Sequence, residues 1–214
     1  IVCDGVGYGL ALRPETQAAD LAGCAFRFDQ RDRAWLPRRD ATGRTRIPRV
    51  YLAGDGAGIA GADAAERAGE RAALALREDR GLPHAPERAA RLEAELARID
   101  RFRDVLEAAF PFPAHWAADC ADDTLLCRCE EISAGEARRA IDHFDITEIN
   151  RLKAVSRVGM GRCQGRICAG AAAELLAART GRSLEDVGRL RSQAPLKPVP
   201  LVLKPAARET ETVS

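Results

Sequence analysis

In the first part of the chain, short apolar runs alternate with short polar stretches, a pattern that favours strands. The run from Ile1 to Leu12 predicts a buried strand leading into a loop, with Cys3 as a packed small hydrophobic residue. Pro14 opens a short helix that ends near Gly23. Further strands are predicted at 24–28, 35–38 and 50–53. The first part therefore predicts a β-meander.

From residue 62 onwards, the spacing of the apolar residues becomes that of helices. An alanine-rich helix is predicted at 62–76, directly after the glycine turn that follows the strand at 50–53. A second helix at 87–106 carries apolar residues at three- and four-residue steps, namely Leu92, Leu96, Ile99, Phe102 and Leu106. Residues 1–110 thus read as one α/β unit, a β-meander feeding a strand–turn–helix.

The remaining sequence predicts a small all-α unit at 124–200, after an irregular linker at 111–123 and before a tail at 201–214. Ser133 and Glu136 have capping-box spacing, so a helix should run from there to about His143. Further helices are predicted at 147–156, at 168–181 and after Ser183, and prolines beyond Arg191 predict an extended tail. There is no initiator Met and the first residues resemble a buried strand, so we expect the C-terminal piece of a longer protein.

Composition narrows the function. The chain has 33 basic and 32 acidic residues in 214, so no net field favours nucleic acid or an anionic membrane. No apolar run is long enough for a spanning helix. Seven cysteines without an export signal suit a reducing cytoplasm, where closely spaced cysteines bind metal more often than they form disulfides. No Ser-His-Asp or Cys-His pattern is evident, so we assign no catalytic residue.

Four cysteines form two tight pairs, Cys127 with Cys129 and Cys163 with Cys168, separated by 33 residues. Two such pairs can converge on one metal centre, either zinc or an iron–sulfur cluster. Structural zinc sites usually use Cys-x₂-Cys knuckles, and neither pair has that form. The second pair lies among glycines that let the backbone fold around a bulky core. Cys168 should begin a helix, whose positive dipole end favours thiolate.

The charge of the residues near the second cysteine pair also favours a cluster, because a two-iron centre with four thiolates is net negative. Residues 151–166 contain five basic side chains and no acidic one: Arg151, Lys153, Arg157, Arg162 and Arg166. The simple alternative is a solvated basic face. As a group beside the cysteines, we expect them to offset cluster charge or to dock a partner.

The stretch from Leu125 to Pro200 resembles the bacterioferritin-associated-ferredoxin-like (BFD-like) [2Fe-2S] domain. The resemblance is carried by Thr124-Leu-Leu-Cys-Arg-Cys-Glu-Glu131, Gly159-Met-Gly-Arg-Cys-Gln-Gly165 and Pro195-Leu-Lys-Pro-Val-Pro200. It implies a [2Fe-2S] cluster on Cys127, Cys129, Cys163 and Cys168. The free-standing ferredoxin closes with Cys-x₂-Cys, whereas this chain has Cys-x₄-Cys, the spacing of versions fused to flavoprotein subunits.

A second signal is Thr45-Arg-Ile-Pro-Arg-Val-Tyr-Leu-Ala-Gly-Asp55, in which a predicted strand presents a carboxylate beside a glycine turn. Such a turn is often purely structural. The segment nevertheless resembles the C-terminal FAD motif of two-dinucleotide-domain flavoproteins. That resemblance implies that Asp55 and Gly54 contact FAD, with Gly56, Gly58 and Gly61 beside the flavin.

Gly5-Val-Gly-Tyr-Gly9 is similar to a dinucleotide fingerprint but has Leu10 where the third glycine is required. We interpret it as the closing strand of a nicotinamide-type domain whose fingerprint lies upstream. NAD(P) binding would then depend on that upstream part.

Together these motifs resemble the α-type subunits of heteromeric amine dehydrogenases and oxidases, a group that includes opine oxidase, hydrogen cyanide synthase and proline or hydroxyproline dehydrogenase subunits. The resemblance implies a cytoplasmic hetero-oligomer in which a β-type flavoprotein subunit oxidises a C–N bond and this subunit passes electrons between FAD and a [2Fe-2S] cluster. Two alternatives stay open: a stand-alone NAD(P)H-dependent reductase, and a zinc- or iron-binding interaction module.

Overall fold

The computed structural model describes residues 3–7, 9, 12–113, 115–197 and 199. Its first half contains helix α1 (Gln17–Leu21), a hairpin of β1 (Phe26–Asp29) and β2 (Ala34–Pro37), and the long helices α2 (Ala62–Asp79) and α3 (Pro86–Ala109). The strands are antiparallel, with Phe28 opposite Trp35. The rings of these two residues meet edge to face at a centroid distance of 5.8 Å. These elements lie where the sequence pattern predicts them.

Two predicted strands are absent from the residues that the structure describes. None of the described residues among 1–12 is in a strand, and Cys3 is exposed instead of packed. Ile1, Val2, Tyr8, Leu10 and Ala11 lie outside the described residues. Residues 50–53 contribute only an isolated bridge between Tyr51 and Arg44. A strand needs a hydrogen-bonded neighbour, and the described part of the chain offers these runs no ladder, so the expected β-meander reduces to one hairpin.

Helices α2 and α3 pack against each other through small side chains. Ala72 and Ala75 of α2 are buried, and Leu92 of α3 is fully buried. Arg71 is buried as well, and its guanidinium donates to Glu93 at 2.6 Å. The apolar stripe predicted for α3 is buried only near its start, since Phe102 is 61% exposed.

The second half is helical, as predicted, but it begins with elements that the pattern missed. Helix α4 (Trp116–Asp119) lies in the segment expected to be an irregular linker, and it packs on α7. A two-stranded hairpin, β3 (Leu125–Cys127) with β4 (Ile132–Ser133), follows. The remaining helices are α5 (Ala134–His143), α6 (Ile149–Ser156), α7 (Ala169–Thr180) and α8 (Leu184–Val187).

The capping box that predicts α5 is present. The Ser133 hydroxyl accepts from the Glu136 amide, and the Glu136 carboxylate accepts from the Ser133 amide. Helices α5, α6 and α7 enclose the main hydrophobic core, which includes Ile141, Ile149, Leu152, Leu175 and Leu176. Two of the predicted metal ligands, Cys127 and Cys168, belong to this core.

Residues 191–197 form neither helix nor strand, in agreement with the prediction, and residues 201–214 lie outside the described range. In the part of the chain that the structure describes, none of the helices combines the length and apolar character needed to cross a membrane.

Candidate functional site

The first cysteine pair lies at the hairpin of β3 and β4. Cys127 ends β3 and is 1% exposed, whereas Cys129 follows in the turn and is exposed. Glu131 closes the turn with a left-handed φ of 54°. The hairpin thus places one thiol in the core and the other at the surface.

The second pair lies on the loop between α6 and α7. Cys168 is the N-cap residue of α7 and is 2% exposed, and Cys163 is partly exposed. The loop approaches the hairpin closely at Gly161, where a Cβ would lie 2.2 Å from the Cβ of Cys129. Only glycine fits at that position without movement of the backbone. This contact brings the two distant cysteine pairs together.

The four thiols meet in pairs formed across the two motifs. Cys129 is close enough to Cys163 to shift the pKa of its thiol, and Cys127 does the same for Cys168. Within the described residues, no three Cys, His, Asp or Glu side chains surround one point in a way that would hold a single ion. A tetrahedral zinc ion requires four donors around one point. Thiolates are ligands of zinc and of iron–sulfur clusters alike, and four thiols drawn from two motifs suit the ligand set of a two-iron cluster.

The electrostatics of the two pairs differ. Burial by itself raises the pKa of the Cys163 thiol, but the backbone amides of Ile167, Gly165 and Arg166, together with Cys129, lower it on balance. Amides that stabilise a thiolate in this way also stabilise a sulfur bound to metal. For Cys168 the expectation from the helix dipole was wrong. Burial and the neighbouring Cys127 thiol raise its pKa to about 12.

The predicted group of basic residues does not form one continuous face. Lys153 is buried. Arg157 donates to Glu130 at 2.7 Å, and Arg166 pairs with Glu15. Arg151 and Arg162 are exposed. Two of the five cations are therefore bound in specific pairs beside the cysteine loop.

The predicted flavin contacts lie on a 3₁₀ turn, Gly54–Ala57, that precedes α2. Asp55 is exposed on this turn. Gly54 has a φ of 65° and Gly58 a φ of 126°, conformations that favour glycine. Gly61 is the N-cap residue of α2 and has no side chain to occupy the amides of the first turn. A carboxylate beside free helix-end amides can bind a polyol and a phosphate.

Glu15 connects the glycine turn to the cysteine loop. A Cβ at Gly56 would lie 3.5 Å from the Glu15 carbonyl oxygen, and the Glu15 carboxylate pairs with Arg166. Gln17 donates to the Gln164 carbonyl at 2.8 Å. Sequence reasoning missed these residues because no local pattern marks contacts across about 150 positions. The glycines near Cys163 were the one local sequence feature that pointed to the backbone amides close to its thiol.

The part of the chain that carries the cysteine pairs matches a known protein family. Residues 125–178, which include all four cysteines of the pairs, match the family described as BFD-like [2Fe-2S] binding domain. An opine oxidase subunit of Rhizobium meliloti is 41% identical over 191 residues, which are 88% of this chain and 36% of that protein. Hydrogen cyanide synthase subunit HcnB of Pseudomonas aeruginosa is 36% identical over 199 residues, which are 91% of this chain and 41% of that protein.

The fold agrees with a solved structure. The crystal structure of L-proline dehydrogenase from P. horikoshii superposes with a TM-score of 0.65 at 21% sequence identity, covering 88% of this chain and 36% of that chain. The chain thus spans about two fifths of the length of these relatives. It is a relative of these opine oxidase and hydrogen cyanide synthase subunits, and it carries a BFD-like [2Fe-2S] binding domain.

Proposed function

We propose that this chain is part of the electron-transferring flavin and iron–sulfur subunit of a cytoplasmic, heteromeric dehydrogenase or oxidase that acts on an amine such as an opine or amino acid. The observation that supports this most directly is the meeting of two thiol pairs inside a BFD-like domain, beside a glycine turn of flavoprotein type. The relatives are named as subunits, which supports assembly with a second, β-type flavoprotein subunit.

The residues fit a two-iron cluster. Cys127, Cys129, Cys163 and Cys168 would hold the two irons, and their thiolates are the donors that iron–sulfur clusters use. A bound [2Fe-2S] cluster supplies one-electron redox chemistry. The amides of residues 165–167 favour the Cys163 thiolate and would tune the potential of a bound cluster. Burial of Cys127 and Cys168 keeps water from one side of the centre, and exposure of Cys129 opens the other side to a partner.

The glycine turn would hold FAD. Asp55 would accept hydrogen bonds from the ribityl chain, and Gly54, Gly56, Gly58 and Gly61 would let the cofactor approach the backbone. The amides at the start of α2 would face its electron-rich or phosphate groups. The subunit would position and tune its redox centres, while the chemistry at the amine would belong to the β-type subunit.

The test uses the full-length protein purified from its host with any bound subunit. We expect iron and sulfide in equal amounts, flavin, a visible iron–sulfur spectrum and a second flavoprotein, with bleaching of the cluster on anaerobic addition of the amine substrate. Cys163→Ser should abolish the cluster spectrum, whereas Cys120→Ser, in the same helical half but outside the pairs, should retain it.

Two outcomes would contradict the proposal. A colourless protein with one zinc per chain would indicate an interaction module. Reduction of the cluster by NAD(P)H in a preparation that lacks a second flavoprotein, with no response to amines, would indicate a stand-alone reductase.

A further inference from the structure

Residues 13–20, here called the bridging segment, contact the helical half at four places. Arg13 approaches Glu174 at 3.5 Å, and Glu15 pairs with Arg166. Gln17 donates to the carbonyl of Gln164, the residue after Cys163. At the end of the segment, Asp20 accepts two hydrogen bonds from Arg189, both at 2.7 Å. The segment therefore lies directly against the cysteine loop and the residues that follow α8.

The same segment contacts the glycine turn on its other side. The carbonyl oxygen of Glu15 is the neighbour that a Cβ at Gly56 would meet at 3.5 Å, and α1 contacts the 3₁₀ turn. The bridging segment thus lies between the turn proposed to hold flavin and the loop that carries Cys163. Its conformation sets the separation of the two.

A buried ionic cluster anchors this arrangement. Glu174 of α7 is 4% exposed and accepts from Arg33 at 2.7 Å and 3.2 Å. Arg13 also faces Glu174 and donates to the Arg33 carbonyl at 2.6 Å. Removing the carboxylate would leave two guanidinium groups in a poorly solvated contact, which is strongly unfavourable.

Arg13 packs closely against α7 at Gly170. A Cβ at Gly170 would lie 2.9 Å from the Nε of Arg13, so the guanidinium lies directly on the first turn of α7. That turn begins immediately after Cys168. Arg13 thus contacts α7 two residues after Cys168, a proposed cluster ligand.

We propose that Glu174, with Arg13 and Arg33, is a positioning residue that holds the cysteine loop at a fixed separation from the glycine turn and so sets the rate of electron transfer between flavin and cluster. The inference rests on the proposed function. Small displacements of redox or reacting centres cost large factors in rate, which gives the anchor its effect.

The test compares Glu174→Gln and Glu15→Gln with Asp142→Asn in the full-length protein with its bound cofactors. Asp142 pairs with Arg179 on the surface of the helical half, so its variant loses an ion pair of α7 that does not reach the bridging segment. Flavin-to-cluster electron transfer is measured by rapid mixing, and the flavin–cluster separation by dipolar electron paramagnetic resonance. Hydrogen exchange of residues 13–20 and 164–170 is measured in each variant.

We expect the Glu174→Gln protein to keep its iron content, and we expect dithionite to reduce its cluster directly. Residues 13–20 and 164–170 should lose protection from hydrogen exchange, and the distribution of flavin–cluster distances should broaden. Electron transfer from flavin to cluster should slow by about tenfold or more. Glu174→Asp should recover part of the rate, and Asp142→Asn should match the wild type. If Glu174→Gln does not fold, Glu15→Gln, which removes only a partly exposed pair, should show the same effects at smaller size.

Unchanged transfer rate and distance in the folded variants, while the wild type does transfer electrons, would overturn the positioning role and leave the proposed function intact. A wild type that holds a cluster but transfers no electrons from flavin would instead overturn the proposed function.

Discussion

At the scale of single residues, Gly161 is the point where the cysteine loop has least room. The Cβ that alanine would add lies 2.2 Å from the Cβ of Cys129, a separation that non-bonded carbons do not reach. The conflict involves a short side chain next to the backbone, so it cannot be relieved by moving a flexible end. Glycine at 161 is therefore a condition for bringing Cys129 to Cys163.

We expect Gly161→Ala to lose most of its iron and sulfide and to lower the free energy of unfolding by about 1–3 kcal/mol. The matched control is Gly69→Ala in the middle of α2, where an added Cβ meets nothing within 4 Å. That variant should keep its cluster and gain about 0.5–1 kcal/mol, because alanine favours a helix. Metal analysis and urea unfolding check both. A fully loaded Gly161→Ala protein would show that the close approach is not needed.

At the scale of elements, caps decide where the helices of the second half begin and end. Ser133 caps α5 through a complete capping box, Glu148 accepts from the first amides of α6, and Ser183 caps α8. At the C-terminal end of α7, Gly181 is the cap residue and adopts a φ of 66°. At its start, the N-cap residue Cys168 makes no side-chain cap hydrogen bond.

Replacing the α5 cap should have a definite cost. Ser133→Ala removes the acceptor for the Glu136 amide, and we expect the free energy of unfolding to fall by about 1 kcal/mol. Ser133→Asp retains an acceptor and should stay within a few tenths of the wild-type value. Denaturant unfolding followed by circular dichroism measures the difference. Equal losses in both variants would mean that the cap hydrogen bond contributes little.

At the scale of the whole molecule, ion pairs between residues far apart in sequence join the two halves. Glu174 with Arg33 and Asp20 with Arg189 are separated by 141 and 169 positions. Ser192 adds a backbone amide that donates to Asp20 at 2.7 Å. Desolvation raises the pKa of Asp20, but the hydrogen bonds from Arg189 and Ser192 together lower it below its ordinary 3.8.

The sign of this shift gives a pH dependence. A carboxyl whose pKa is lower in the folded state stabilises the fold above its unfolded pKa, and that contribution is lost as pH falls through the folded pKa. We expect Asp20→Asn to lower the free energy of unfolding by about 1 kcal/mol near pH 7. The gap to the wild type should close as pH falls through the lowered pKa of Asp20, where the carboxyl becomes protonated.

Urea unfolding of the two proteins across this range checks the prediction. Asp123→Asn, which changes an exposed carboxylate in the other half, is the control and should track the wild type. A gap of constant size from neutral to acid pH would mean that Asp20 acts through its shape and not through its charge.

The sequence by itself determined what depends on neighbours along the chain. Capping residues and apolar periodicity predict α2, α3, α5, α6 and α7, and the spacing and resemblance of the cysteine pairs predict the BFD-like domain that the family match confirms. The ligand set of that domain and the flavin contacts stay predictions.

Only the tertiary structure decided what depends on partners distant in sequence. The two-residue strand β4 exists because it pairs with β3. Residues 50–53 form no strand because, within the described part of the chain, their one bridge is that of Tyr51 with Arg44. The pairing of Cys129 with Cys163, the raised pKa of Cys168 and the contact of Arg13 with Glu174 arise where residues that are distant in sequence come together. Such effects follow from distances in space, which local sequence patterns do not encode.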